Sequence, residues 1–447
     1  MATAHLHGQT TGQESNFQGS VVQQKASTQV LPLGLDDAIQ RGLRYNLGLI
    51  LQSENAHSAG GQRLQALQSL VPSVTGGAED VVQQANLQAE GLRSPALPAV
   101  IGPYGYTDFR ITINQALLNV PSIQNYLAAK HNFQAGRLSV EDARDLVVVT
   151  VGNAYLLCLA DAARVASVQA QVATSKISLD QAVENHAAGV SPRLDELRAR
   201  VDYQTQEQSL IAAQAQYEKD KIALARAIGL PLDQQFVLTD SAPYAALDHV
   251  DAQQAMQQAL EQRSDLKALK EQVSAAQRSL RAARAERLPQ IAFEMDYGAI
   301  GVNPNNSYGT LDVAGQVTAP LFEEGKLRGD ARVADANLRL AQAEENNLEG
   351  QVRADVEDSI LDIQAAAKLV KVAQSNVELA QETLREAQER FQSGVADNLA
   401  VSQAQASVAQ ADDQYVSSLY QHNLAKLSLA RAIGLAQTQY KDYLRGK

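Results

Sequence analysis

The sequence predicts a mainly α-helical chain built twice over, each half a pair of long helices folded back on itself and preceded by a shorter helix and two strands. Three observations predict this. Leu224-Ala225-Arg226-Ala227-Ile228-Gly229-Leu230 returns residue for residue at Leu429-Ala430-Arg431-Ala432-Ile433-Gly434-Leu435. Gly189-Val190 returns at Gly394-Val395 with the same offset of 205 positions, so the segments between align without a gap. The tracts before each glycine run far beyond 25 residues without a stop signal, the pattern of helices packed as coiled coils. An internal repeat of this kind outranks any local motif.

The elements follow in chain order. Residues 1–30 are rich in Gln, Ser, Thr and Gly with little periodicity and read as a flexible leader. The first repeat spans 31–230, a linker 231–249, the second repeat 250–435 and a polar C-terminal tail 436–447. Leu33 to Ala66 reads as helix, with Ala38, Ile39, Leu43, Leu47 and Ile50 on related faces. Asp36 and Asp37 suit its first turn, where free N–H groups favour negative charge. Its counterpart starts near Val250, and Val71-Pro72 is answered by Leu288-Pro289 at an offset of 217. Proline discourages helix in the residue before it, so both first helices end alike.

Two β-prone runs follow each proline, near 74–91 and 104–116 in the first half and near 290–299 and 308–318 in the second. Tyr104, Tyr106, Asp108, Arg110 and Thr112 alternate with Gly105, Thr107, Phe109, Ile111 and Ile113. Ile291, Phe293, Met295 and Tyr297 alternate with Ala292, Glu294, Asp296 and Gly298; Leu311, Val313 and Val317 alternate with Asp312, Ala314 and Gln316. A run of about ten residues with one polar and one apolar face fits a tilted membrane-barrel strand. It fits a sandwich, or a cap of hairpins on a soluble protein, equally well. The long tracts start near Ser122 and Lys326, with Val147, Val151, Tyr155 and Leu159 on one face, and Val352, Val356, Ile360, Ile363 and Leu369 on the other copy's. At 1.5 Å per residue, a tract of about 65 residues spans roughly 100 Å.

Composition excludes several functions. The net charge of −12 and scattered basic residues argue against a nucleic-acid partner. Cys158, the single cysteine, excludes an internal disulfide and lies in a helical apolar run. The seven histidines are dispersed, and no phosphate-binding loop or nucleophile elbow is present. No catalytic, cofactor-binding or metal-binding residue is expected. No run reads as a transmembrane helix, and the N-terminus lacks a signal-peptide pattern. The expectation is that a signal was removed or missed at the assigned start.

In their order and spacing these features resemble the TolC-type outer membrane efflux family. The marks are the two-half repeat, Leu35-Asp36-Asp37-Ala38 followed by Asn46, the prolines at 72 and 289, and Ala319-Pro320-Leu321-Phe322 with Gly325. The turns at Ala188-Gly189-Val190 and Ser393-Gly394-Val395 complete the set. The resemblance implies three protomers, each giving four strands to a 12-stranded outer membrane barrel continued by a periplasmic helical tunnel. It implies a passive conduit, with a periplasmic adaptor and an inner-membrane pump as partners besides the outer membrane lipid. The two turns would be the tips that meet the adaptor. Asp195, Glu196 and Asp397 would lie near the periplasmic entrance; Asp108, Arg110, Asp296 and Asp312 would face the barrel lumen. Where members of the family carry two entrance aspartates, this chain has Leu399-Ala400-Val401-Ser402-Gln403-Ala404. The rival reading is a soluble periplasmic coiled-coil scaffold or adaptor-like protein.

Overall fold

The structure is a computed structural model and describes residues 16–22, 25–92, 94–240, 244–247, 251–393, 395 and 398–445. In chain order the elements are β1 Leu31–Leu33, α1 Leu35–Tyr45, α2 Leu47–Gln68, β2 Ser73–Asn86, β3 Val100–Leu118, α3 Val120–Ala187 and α4 Arg193–Ile228. The second half continues with β4 Phe236–Leu238, α5 Ala252–Gln262, α6 Ser264–Ala285, β5 Gln290–Gly301, β6 Ser307–Thr318, α7 Glu324–Gln392, α8 Asn398–Ile433 and α9 Ala436–Arg445. The chain divides into two units. One holds residues 1–55, 137–267 and 346–447, the other 56–136 and 268–345.

The helical unit has a core that repeats with the sequence. In the first half Val147, Val151, Leu224 and Ile228 are fully buried with Ala38 and Ile39. In the second, Val352, Val356, Leu429 and Ile433 sit at the matching positions, with Ala255 and Ala259. Each fully buried Leu, Ile or Val contributes about 1.5–3 kcal/mol relative to exposure. Val370, at 1% exposed, takes the place expected for Leu369, which is 51% exposed. One window of α3 has a mean hydropathy of 1.8, high enough for a membrane helix by length and composition, which corrects the sequence reading. More than half of it is buried inside the protein, so its apolarity serves this core.

The long hairpins end on left-handed glycines. Gly229 has φ +73° and Gly434 φ +81°. After each, a leucine N–H returns to the helix, from Leu230 to the Ala225 carbonyl at 3.0 Å and from Leu435 to that of Ala430 at 2.8 Å. This αL ending satisfies carbonyls that the last helical turn leaves open. Both glycines press on a break in the first helix of their half. The predicted single helix over 33–66 is interrupted at Asn46, and its counterpart at Arg263. A Cβ on Gly229 would stand 2.6 Å from Tyr45 Cβ; one on Gly434 would stand 2.9 Å from the Arg263 amide nitrogen.

Three segments depart from the sequence reading. The described part of the leader is tied to this unit: Asn46 Nδ2 donates to the Phe17 carbonyl at 2.6 Å, and Ser27 N–H donates to Gln234 Oε1 at 2.7 Å. The linker contains β4, which pairs in parallel with β1. The C-terminal tail forms α9, with Tyr440 only 5% exposed and donating to Asp36. Short polar segments gain order from these long-range partners, which local composition does not reveal.

The second unit holds one antiparallel sheet of order β2-β3-β5-β6. β2 ends at Asn86 rather than near 91, where a turn takes over, and β3 begins at Val100, four residues before the expected start. A register irregularity lies between Ala116 and Leu118. The Gly301 to Asn306 turn signal becomes a short 3₁₀ turn at Pro304–Asn306, capped by Asn303. β2 and β6 are both open edges.

Gly229→Ala and Gly434→Ala should each lower the melting temperature of the helical circular-dichroism signal. The left-handed penalty of about 1–2 kcal/mol adds to a clash in each case, so a loss of about 2 kcal/mol or more is expected. An unchanged melt in both variants would remove the glycine-on-break account.

Candidate channel-forming surfaces

The sheet sorts its side chains by face, because residues directly opposite in a ladder point the same way. Asp108 lies opposite Glu79 and Ile300; Asp296 lies opposite Thr112 and Asp312. Asp108, Arg110, Asp296 and Asp312 therefore share one face, with Glu79 and Glu294. Arg110 donates to Asp108 at 2.9 Å and to Asp296 at 2.8 Å. It is the only Lys or Arg in the four strands. The opposite face carries Val74, Phe109, Ile111, Tyr297, Leu311, Val313 and Val317, all between 44% and 68% exposed. Asp80 is the carboxylate on that side, and it accepts a bond from Thr107 Oγ1 at 3.1 Å. An apolar sheet face left open to this extent is far from the usual soluble pattern, in which it would pack on a core.

The described parts of the two hairpin turns share their backbone bonds. At the first, Gly189 has φ +74°, and Val190 N–H donates to the Asn185 carbonyl at 2.9 Å. At the second, Val395 N–H donates to the Arg390 carbonyl at 3.0 Å, the equivalent position. Val190 and Val395 are 76% and 69% exposed. Gly394 and Asp397 lie outside the described residues. Ala188 ends the first turn of backbone bonds, donating to the Glu184 carbonyl at 2.9 Å, and Ser393 bonds back to that of Glu389. Asp195 and Glu196 occupy the first turn of α4. Asp195 lies 3.9 Å from Arg198, and Glu196 2.8 Å from Arg200. His186 closes the turn, 4.0 Å from Glu196.

The helical unit also contains buried charge that the sequence reading missed. Arg263, 5% exposed, holds Asp265 through two bonds of 3.1 and 2.6 Å and Asp355 at 2.6 Å. Arg431, in the repeated heptapeptide, pairs with Asp142. Burial pushes the Asp142 carboxyl up to about 6, against the pull of Arg431. No local pattern marks Arg263, because a lone arginine in an Ala- and Gln-rich helix normally points to water. Asp161 on α3 is 2% exposed. Burial, then its hydrogen bond with Asp220, pushes it up to about 7, although Arg164 lies 3.0 Å away. Cys158 is fully buried and its thiol is pushed up to about 12 by burial, as befits a core residue.

Among the described residues no group of three or more His, Cys, Asp or Glu could hold a metal ion. A hollow of about 620 Å³ is lined by residues that include Phe17, Ser139, Asp142, Leu146 and Asn153.

The family model of outer membrane efflux proteins matches residues 54–230 and 255–435, most of the chain and once in each half. This chain belongs to the outer membrane efflux protein family. Its place is the outer membrane. The pyoverdine export outer membrane protein OpmQ of Pseudomonas putida is 26% identical over 316 residues, 69% of this chain and 66% of that protein. The toluene efflux pump outer membrane protein TtgF, also of Pseudomonas putida, is 23% identical over 321 residues, 70% and 64% of the two chains. The matched stretch thus spans just under two thirds of each of these relatives. The Campylobacter jejuni CmeC outer membrane channel superposes with a TM-score of 0.81 at 16% identity, over 96% of this chain and 95% of that one. That likeness shows the fold that the two chains share, long helical hairpins with a β-sheet segment.

Asp161 gives a pH test of the helical unit. Burial and the neighbouring Asp220 raise its carboxyl above the ordinary value of 3.8. Above that ordinary value the folded state holds a proton that the unfolded state has lost, so stability from this group falls as pH rises through the raised folded value. Asp161→Asn should therefore melt higher than wild type at pH 8, with the advantage vanishing toward pH 4. An equal shift at both pH values would show that the carboxyl does not titrate in this range.

Proposed function

We propose that this protein is the outer membrane conduit of a tripartite efflux system, passing small molecules outward without chemistry of its own. One observation carries the reading: an open four-stranded sheet with an exposed apolar face and a carboxylate-rich opposite face. Such a sheet has nowhere stable to sit in water, and in hydrocarbon its unpaired edges must be closed. Three copies would supply 12 strands, within the range of closed membrane barrels. The apolar face then meets lipid, and Asp108, Arg110, Asp296 and Asp312 line the lumen. The names of OpmQ and TtgF support a small organic cargo.

The helical part lies in the periplasm on this reading. The two tips, Ala188-Gly189-Val190 and Ser393-Gly394-Val395, form the adaptor-binding end, with the inner-membrane pump beyond. Exposed Val190 and Val395 provide apolar contact area there. Asp195, Glu196 and Asp397, repeated around a threefold axis, would bias the entrance toward cations. The pairing of Asp195 and Glu196 with arginines one turn on weakens that bias in the first repeat. The chain divides functionally at the boundaries 31–230 and 250–435, each repeat giving one strand pair and one hairpin.

The test is conductance in a planar bilayer, with protein extracted from outer membranes in detergent. Discrete steps are expected, with cation preference, since five carboxylates share the lumen face with one arginine. Arg110→Gln should raise the cation preference, read as a larger reversal potential in a salt gradient, and Asp296→Asn should lower it. A folded helical protein that stays in the aqueous fraction and never conducts would leave the soluble scaffold in its place.

A further inference from the structure

The sheet contains one joint between the repeats, and that joint describes a second one. Each half contributes a strand pair, β2 with β3 and β5 with β6. Within the chain the last strand of the first pair, β3, meets the first strand of the next, β5, in antiparallel register. A following copy of this chain offers β6 the same kind of partner, its β2. The two open edges run in opposite directions, so joining them keeps the sheet antiparallel throughout.

We propose that β6 pairs with β2 of a neighbouring copy in the register that β3 and β5 already use, with Leu321 opposite Val74 and Phe322 opposite Ser73 of that neighbour. This rests on the barrel reading above and adds the register and its anchors.

The correspondence can be read residue by residue. Pro72 answers Pro289, so Gln290, Ile291 and Glu294 answer Ser73, Val74 and Gly77. Asp108 answers Asp312 on the polar face. β3 carries one extra residue at Leu117, whereas β6 pairs regularly through Thr318. Beyond that irregularity Leu118-Asn119 answers Leu321-Phe322. In the internal joint Asn114 lies opposite Glu294 and Leu118 opposite Ile291, while Asn119 Nδ2 donates to Gln290 Oε1 at 3.2 Å. Transferred to the outer joint, these become Thr318 with Gly77, Leu321 with Val74, and Phe322 with Ser73. All three give one register.

Two independent observations agree with it. Leu321 and Phe322 are 97% and 96% exposed, and across the proposed joint Val71 and Val74 are 40% and 63% exposed. Side chains that open, immediately after an unpaired edge strand, are what a missing neighbour leaves uncovered. The second is the charge on the apolar face. The proposed register sets Gly315 opposite Asp80, leaving room around the carboxylate. A slip of two residues either way sets Val313 or Val317 against it instead. A slip of one exchanges the polar and apolar faces across the joint.

Paired cysteines test the register in full-length protein in outer membranes, with Cys158 replaced by alanine. Opposed side chains in a ladder have Cβ atoms about 4.5–5.5 Å apart and diagonal ones about 7–8 Å, while a disulfide needs about 3.5–4.5 Å. On mild oxidation, Thr318→Cys with Gly77→Cys, and Gln316→Cys with Glu79→Cys, should give covalent oligomers on non-reducing gels. The slipped pairs, Gln316→Cys with Gly77→Cys and Thr318→Cys with Glu79→Cys, should cross-link at least several-fold more slowly. Leu321→Cys with Val74→Cys should join copies as well. Faster linking of a slipped pair, or of none while the reduced variants conduct, overturns the register and leaves the channel standing. Loss of both cross-linking and conductance in every variant, with wild type also silent, removes the barrel reading itself.

Discussion

The seat of each glycine-ended hairpin on a broken first helix is the constraint on which the helical unit depends. The returning helix must stop, expose no open carbonyls to the core and come close to a neighbouring backbone. Glycine alone meets the last two demands together, since the left-handed turn and the 2.6–2.9 Å clearances both exclude a Cβ. The repeat keeps this seat and varies its lining. In the first half Asn46 bonds across the break, donating from Nδ2 to Phe17 O and accepting at Oδ1 from Gly48 N–H at 3.0 Å. In the second half Arg263 fills the equivalent place and draws in Asp265 and Asp355. A buried guanidinium tolerates this site only because its donors are matched by carboxylates.

The sheet unit obeys a different rule. Its two edge strands are unpaired within the chain and its apolar face is exposed. An apolar face exposed beside open edges calls for a solvent without water and a neighbour with a complementary edge. The helical unit, by contrast, buries its repeated apolar positions inside one chain. On the proposed reading, function follows from this division: one part would be shaped by membrane and neighbouring copies, while the other is shaped by its own core.

The alternation of strand faces was legible because a two-residue period survives in the sequence. Asp108, Arg110, Asp296 and Asp312 could be assigned to one side from that alone. Their network could not, since Arg110 reaches Asp296 across 186 positions. The described parts of the predicted leader, linker and tail are more ordered than their composition suggests. Phe17, Phe236 and Tyr440 pack in the core, yet their surroundings in sequence are short and polar. The break at Asn46 leaves no mark in the sequence because the apolar pattern continues through it.

By itself the sequence determined the duplication, the hairpin turns, the strand alternation and the absence of a local catalytic motif. These are periodic or local properties, carried by offsets, glycines and side-chain spacing. Only the tertiary structure decided where the first helices break, which polar groups are buried together, and which apolar side chains remain uncovered. Those features depend on residues brought together from distant parts of the chain, and no local window contains both partners.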